Sequence, residues 1–98
     1  MCVQDCSPRL LPTVVNVPSV TPAKCSQACK ERGFFFAGVQ WAKECWCGHT
    51  SPPADKIVDQ KECNMKCAGD SASKCGGSCR MGVFSTSGRI SLLLVGLI

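Results

Sequence analysis

Ten cysteines fall within 98 residues, and no other feature limits so strongly what this chain can become. Such a density is typical of small extracellular scaffolds and rare where cytosolic reductants keep thiols free. The chain is long enough for one domain with a modest core, so cross-links that restrict the unfolded state supplement the burial it can achieve. Each disulfide contributes roughly 2–4 kcal/mol. An even cysteine count permits five bridges with no thiol left over, although spacing alone leaves about 945 pairings open.

Other uses of cysteine fit less well. C-x₃-C recurs at Cys25/Cys29, Cys63/Cys67 and Cys75/Cys79, a spacing that zinc allows, but it is also one helical turn, and His49 is the chain's single histidine. A redox couple needs C-x-x-C, which does not occur. The reading therefore assigns no metal and no cofactor. No G-x-S-x-G elbow, phosphate loop or paired-carboxylate segment is present, so enzymatic activity is not expected. The net charge of +4 comes from scattered Lys and Arg with no basic run, which makes nucleic acid an unfavoured partner.

Local signals place the cysteines. In "TPAKCSQACKERG" (21–33) Thr21 suits an N-cap, Pro22 the first helical position and Gly33 the left-handed residue after the last turn, which predicts a helix from about 22 to 32. Cys25, Ala28 and Cys29 then share one face. Phe34 to Trp41 and Glu44 to Gly48 read as a β-hairpin. Cys45 and Cys47 project together, about 7 Å apart, with Trp46 opposite. Helix sulfurs about 6 Å apart match that spacing. A chain reversing at Gly33 predicts Cys25–Cys47 and Cys29–Cys45. Pro52-Pro53 predicts an exposed, non-helical link. Residues 62–84 predict a turn of helix, two tight loops with Gly69, Gly76 and Gly77 at positive φ, an Asx turn at Asp70, and a last strand at Met81-Gly82-Val83-Phe84.

The termini differ from the middle. Met1-Cys2-Val3-Gln4-Asp5-Cys6 lacks the basic and apolar regions of a secretory leader. "ISLLLVGLI" (90–98) has about half the roughly 20 residues of a membrane helix. The expectation is a piece of a longer secreted or membrane-anchored chain, with a domain over 2–86 and an apolar tail over 87–98.

Cys2-x-x-Asp5 with Arg9-Leu10, the C-x₃-C helix, Gly33-x-x-Phe36-Ala37-Gly38-Val39-Gln40, Glu44-Cys45-Trp46-Cys47-Gly48, Glu62-Cys63-Asn64-x-x-Cys67-x-Gly69-Asp70 and Cys75-Gly76-Gly77 together resemble the WSC domain through about 2–84. Such domains occur in fungal cell-wall stress sensors, wall-targeted enzymes and Kremen-type receptors. The resemblance implies an α+β, disulfide-rich, PAN/apple-like fold with one main helix on a short antiparallel sheet. It also implies an extracellular or cell-surface location and carbohydrate binding without catalysis. Eight cysteines (Cys2, Cys25, Cys29, Cys45, Cys47, Cys63, Cys67 and Cys75) match the usual set. Cys6 and Cys79 are additions that most simply form a fifth bridge. Trp41-Ala42 departs from the family's usual aromatic-glycine turn.

If Cys45 and Cys47 face the helix, Trp46 faces away, beside Val39 and Trp41, on a face with no second helix to cover it. An aromatic surface there suits the apolar face of a pyranose ring, with Gln40, Glu44, His49 and Asn64 to orient hydroxyls. Phe34 and Phe36 are expected on the cysteine side and Phe35 on the tryptophan side. The partner expected is a polysaccharide, β-glucan or a related wall glycan. An extracellular protein bound through the same aromatic anchors is the alternative.

Overall fold

The computed structural model describes residues 1–6 and 9–86. The apolar tail and the tail boundary after residue 86 lie outside the described residues. The helix α1 (Pro22–Glu31) begins where its capping chemistry sits: the Thr21 side chain accepts from the Lys24 amide at 3.1 Å and proline occupies the first turn. It ends at Gly33, whose φ of +84° reverses the chain. Only Cys25 and Cys29 of the helix are fully buried.

All strands pair antiparallel. The main sheet has six, in the order β2 (Thr13–Val15), β4 (Glu44–Gly48), β3 (Phe36–Gln40), β8 (Arg80–Ser85), β1 (Cys2–Gln4), β5 (Ile57–Val58). A separate ribbon joins β6 (Lys66–Cys67) to β7 (Asp70–Lys74). The pairing register sorts side chains between two faces. On the helix face, Ala37 and Val39 of β3 lie opposite Cys47 and Cys45 of β4, and a core forms with Val15, Val20, Cys25 and Cys29. On the outer face a second cluster of Val3, Leu11, Met81 and Val83 is fully buried, with Leu10, Phe36 and Trp46 packed against it. Gly38 makes this closeness possible: a Cβ there would lie 2.7 Å from Met81 Cγ and 2.9 Å from Leu11 Cδ1.

Five disulfides link all ten cysteines: Cys2–Cys63, Cys6–Cys79, Cys25–Cys45, Cys29–Cys47 and Cys67–Cys75. The fifth bridge expected between Cys6 and Cys79 is present. Helix-to-hairpin stapling is present too, but its order is the reverse of Cys25–Cys47 and Cys29–Cys45. The reason is directional. The chain reverses at Gly33 and again between β3 and β4, so two reversals leave β4 running the same way as α1. The earlier helix cysteine therefore meets the earlier strand cysteine.

Further expectations are corrected. Phe36 lies on the tryptophan face, because the strand starts only at Phe36 and the alternation cannot be counted back through the bend at Phe35. Phe34 does pack on the cysteine core. Trp46 lies opposite Gly38 on one side and Val14 on the other, whereas Val39 faces the helix. The link after Pro52 is largely exposed as expected, but it is structured: Pro52 is buried, a 3₁₀ turn covers Ala54–Lys56, and Ile57 and Val58 pair with β1. In the C-terminal half a 3₁₀ turn at Gln60–Glu62 leads into the β6–β7 ribbon in place of two loops, and only Gly76 of the three glycines has positive φ. The Asx turn at Asp70 is formed, with Asp70 Oδ1 accepting from the Ala72 amide at 3.0 Å.

Candidate functional site

Because β3 and β4 alternate, Gln40, Glu44 and Trp46 emerge on the outer face of the sheet. The segment after β1 crosses that face and puts Arg9 beside them. Arg9 Nη1 donates to Asp5 Oδ2 at 3.1 Å and to Gln40 Oε1 at 3.0 Å. Its guanidinium carbon stands 4.5 Å from the centre of the Trp46 ring, within cation–π range. On the other side, the Trp46 indole N–H donates to Glu44 Oε1 at 3.0 Å. Trp46 is half-buried, with its lower part in the outer cluster.

A buried carboxylate fixes Arg9. Asp5 is only 1% exposed, and its Oδ1 accepts from the Leu10 amide at 2.7 Å. Gln40, also 1% exposed, completes the network by donating Nε2 to the Asp5 carbonyl at 3.0 Å. Every buried polar side-chain atom among the described residues has a partner. Arg9, Trp46 and Glu44 are thus held in one arrangement by the protein's own contacts. Val14, 58% exposed, extends the surface on β2.

The other sequence-predicted residues are distributed around this patch. Trp41, 41% exposed, stands at the tip of the β3–β4 hairpin with φ of +56°, followed by Ala42 at +66°. Phe35 and His49 lie at the opposite end of the hairpin from Trp41, beyond the full length of β3 and β4. There His49 stacks on Phe34 with ring centres 4.7 Å apart and meets Phe35 edge-on at 5.2 Å. Asn64 is exposed beyond the second 3₁₀ turn, and Gln40 is consumed by its internal bonds. The structure brings together Trp46, Glu44 and Gln40; it does not gather Phe35, His49 and Asn64 around them. Asp5 and Arg9 are the residues that spacing left without a role. Their sequence signal was weak: one opposite-charge pair just before Leu10-Leu11.

The sulfurs of Cys25, Cys29 and Cys45 lie within 4.8 Å of one another, yet that proximity belongs to two neighbouring disulfides, and a bridged sulfur has no thiolate to offer a metal. No helix among the described residues is long and apolar enough to cross a membrane.

The family model described as "WSC domain" matches residues 1–77. Among known proteins, the chain is 40% identical over 68 residues to Xylosyltransferase oxt of Drosophila melanogaster, covering 69% of this chain and 8% of that protein. It is 36% identical over 66 residues to a WSC domain-containing protein of Arthroderma benhamiae, covering 67% and 9%. It is 32% identical over 82 residues to human Kremen protein 2, covering 78% and 18%. The chain therefore spans less than a fifth of each of these three relatives.

Proposed function

The chain belongs to the WSC-domain family, and from that premise we propose that it is a non-catalytic carbohydrate-binding module recognising a fungal-type wall polysaccharide such as β-glucan. The observation that supports this reading is the Arg9–Trp46–Glu44 arrangement on the outer face: a cation–π pair 4.5 Å apart, beside a carboxylate that fixes the indole N–H. With Arg9 standing over the ring, the apolar contact offered to a sugar is the remaining exposed part of Trp46 together with Val14, and the guanidinium and the Glu44 carboxylate suit its hydroxyls. The patch is shallow, so a single copy binds weakly. Oxidised cysteines support a location outside the cell or at its surface, and in the three relatives the matching region is less than a fifth of the protein.

The test is retention on insoluble β-glucan. Trp46→Ala is expected to reduce pull-down strongly and Trp41→Ala more modestly, with disulfide content unchanged. If both variants fold and bind like the parent, the patch is not the glycan site and a protein partner becomes the better reading. If Trp46→Ala unfolds the domain, Arg9→Gln decides, because it removes the charge over the ring while leaving the indole packed.

A further inference from the structure

The β6–β7 ribbon pairs like charges. A regular antiparallel ladder continuing from the Cys67–Asp70 pair would put Ser71 opposite Lys66, but the register shifts and Lys74 stands there instead. The shift is made by Asp70, whose carboxylate accepts from the Ala72 amide at 3.0 Å and the Ser73 hydroxyl at 2.8 Å, taking three residues out of the ladder. Directly opposed like charges destabilise a ribbon, and bulges recur where a side chain is re-aimed for a purpose. The Cys67–Cys75 bridge, with Cα atoms 4.9 Å apart, joins the residue after each lysine diagonally across the ribbon and so ties the two strands together beside the lysine pair.

A second unfavourable feature adjoins it. The hairpin tip carries Trp41 and Ala42 with positive φ, a conformation that non-glycine residues adopt at a cost. This tip is attached to the ribbon: the Ala42 amide donates to the Cys75 carbonyl at 3.0 Å, and the Ala42 carbonyl accepts from the Ala68 amide at 2.9 Å. Exposed Trp41 and Lys43 flank Ala42, exposed Lys74 directly precedes Cys75, and exposed Lys66 lies two residues before Ala68, so these backbone bonds bring the two lysine-bearing segments together. None of these three lysines is ion-paired among the described residues. The neighbouring acids are engaged elsewhere, Asp70 within its own turn, Glu62 with Arg80 at 2.6 Å, and Glu44 with Trp46.

We propose that Trp41, Lys43, Lys66 and Lys74 form a second site, for an anionic polysaccharide bearing sulfate or carboxylate groups. The opposed lysines bind one anionic group between them, which relieves their repulsion, while Trp41 stacks on the adjoining sugar. Five disulfides put the domain where anionic glycans, and not nucleic acids, are the abundant polyanions.

The experiment measures affinity of the oxidised domain for heparin and for polygalacturonate, with neutral dextran and duplex DNA as references. Lys66→Gln/Lys74→Gln is expected to weaken binding to the charged glycans about tenfold. The same pair is expected to raise the midpoint of thermal unfolding by about 1–3 °C, since the repulsion is removed. Lys30→Gln/Arg32→Gln makes the same change in net charge at the end of α1 and is expected to leave affinity within about twofold. Heparin binding alone assigns a sulfated ligand; binding to both assigns either anion. The proposal is overturned if the control pair weakens binding as much as the ribbon pair, if the ribbon pair has no effect, or if DNA binds as tightly as the glycans. Trp46→Ala with unchanged heparin affinity separates this site from the outer-face patch, and loss of either reading leaves the other standing.

Discussion

The two faces of the main sheet are held by different means. On the helix face, Cys25–Cys45 and Cys29–Cys47 tie α1 to β4 covalently. On the outer face one bridge, Cys6–Cys79, anchors the start of the covering segment just ahead of β8; beyond it Leu10 and Leu11 pack on the sheet, and the Asp5–Arg9–Gln40 network holds the segment in place. A cross-linked face tolerates changes in packing but not the loss of a cysteine. A face held largely by contacts and hydrogen bonds responds to single side chains, which suits the proposed role of presenting Arg9 and Trp46 in fixed geometry.

Breaking a staple on the helix face has the largest expected effect. Cys29→Ala removes one bridge and leaves Cys47 as a thiol free to exchange with the adjacent disulfide, so a loss of about 2–5 kcal/mol and scrambled isomers are expected in non-reducing peptide mapping. Removing Cys6 and Cys79 together is milder, because no thiol is left unpaired; a loss of about 2–4 kcal/mol is expected from thermal or denaturant unfolding. Alkylatable thiols in the parent protein, or stoichiometric zinc, would contradict the framework itself.

Overfilling the outer face ranks next. Gly38→Ala forces a methyl against Met81 and Leu11, both fully buried, and is expected to cost about 1–3 kcal/mol in the same unfolding measurement. An unchanged stability would mean that this cluster is loosely packed.

These effects bear on what could be read from the sequence. The helix, the hairpin and the stapling between them were legible because i, i+4 and i, i+2 spacings fix which sulfurs share a face. The order of the staples was not, since it depends on relative direction, and a count of one reversal at Gly33 gives the opposite answer from the two that occur. Phe36 was misassigned because alternation has meaning only inside a strand. The outer cover was illegible for another reason: Arg9 and Leu11 reach β3 and β8 through contacts some thirty to seventy residues distant in sequence, and no local pattern records them. Tryptophan could be placed on a face, but not what would stand over it.

A smaller effect sharpens the account of the outer face. Asp5→Asn keeps an acceptor for the Leu10 amide but removes the charge paired with Arg9, whose side chain is 35% exposed. After allowance for solvent screening, a loss of about 1 kcal/mol is expected, with a change in Trp46 fluorescence as the guanidinium leaves the ring. Unchanged fluorescence would show that Arg9 does not depend on Asp5 for its position.

The smallest effect is a pH dependence in the β6–β7 ribbon. Asp70 is exposed, and the Ser73 hydroxyl, followed by the Ala72 amide, holds its carboxyl below the ordinary carboxylate range. A folded-state pKa below the unfolded one means that the contribution is fully present above about pH 4 and is lost as pH falls through the folded value. The Ala72 and Ser73 amide resonances are expected to titrate together below pH 4 while those of α1 stay in place. Movement of the helix resonances in the same range would show that the ribbon and the stapled core are not independent.

Glycan binding by the outer face is the central proposal, and a nuclear magnetic resonance titration of the oxidised domain with a soluble β-glucan oligosaccharide tests it directly. The expected result is a saturable shift of the Trp46 indole N–H and the Arg9 guanidinium resonances, with residues of α1 unaffected. Shifts confined to the helix face, or no shift at Trp46 at concentrations where the parent binds insoluble glucan, would contradict it.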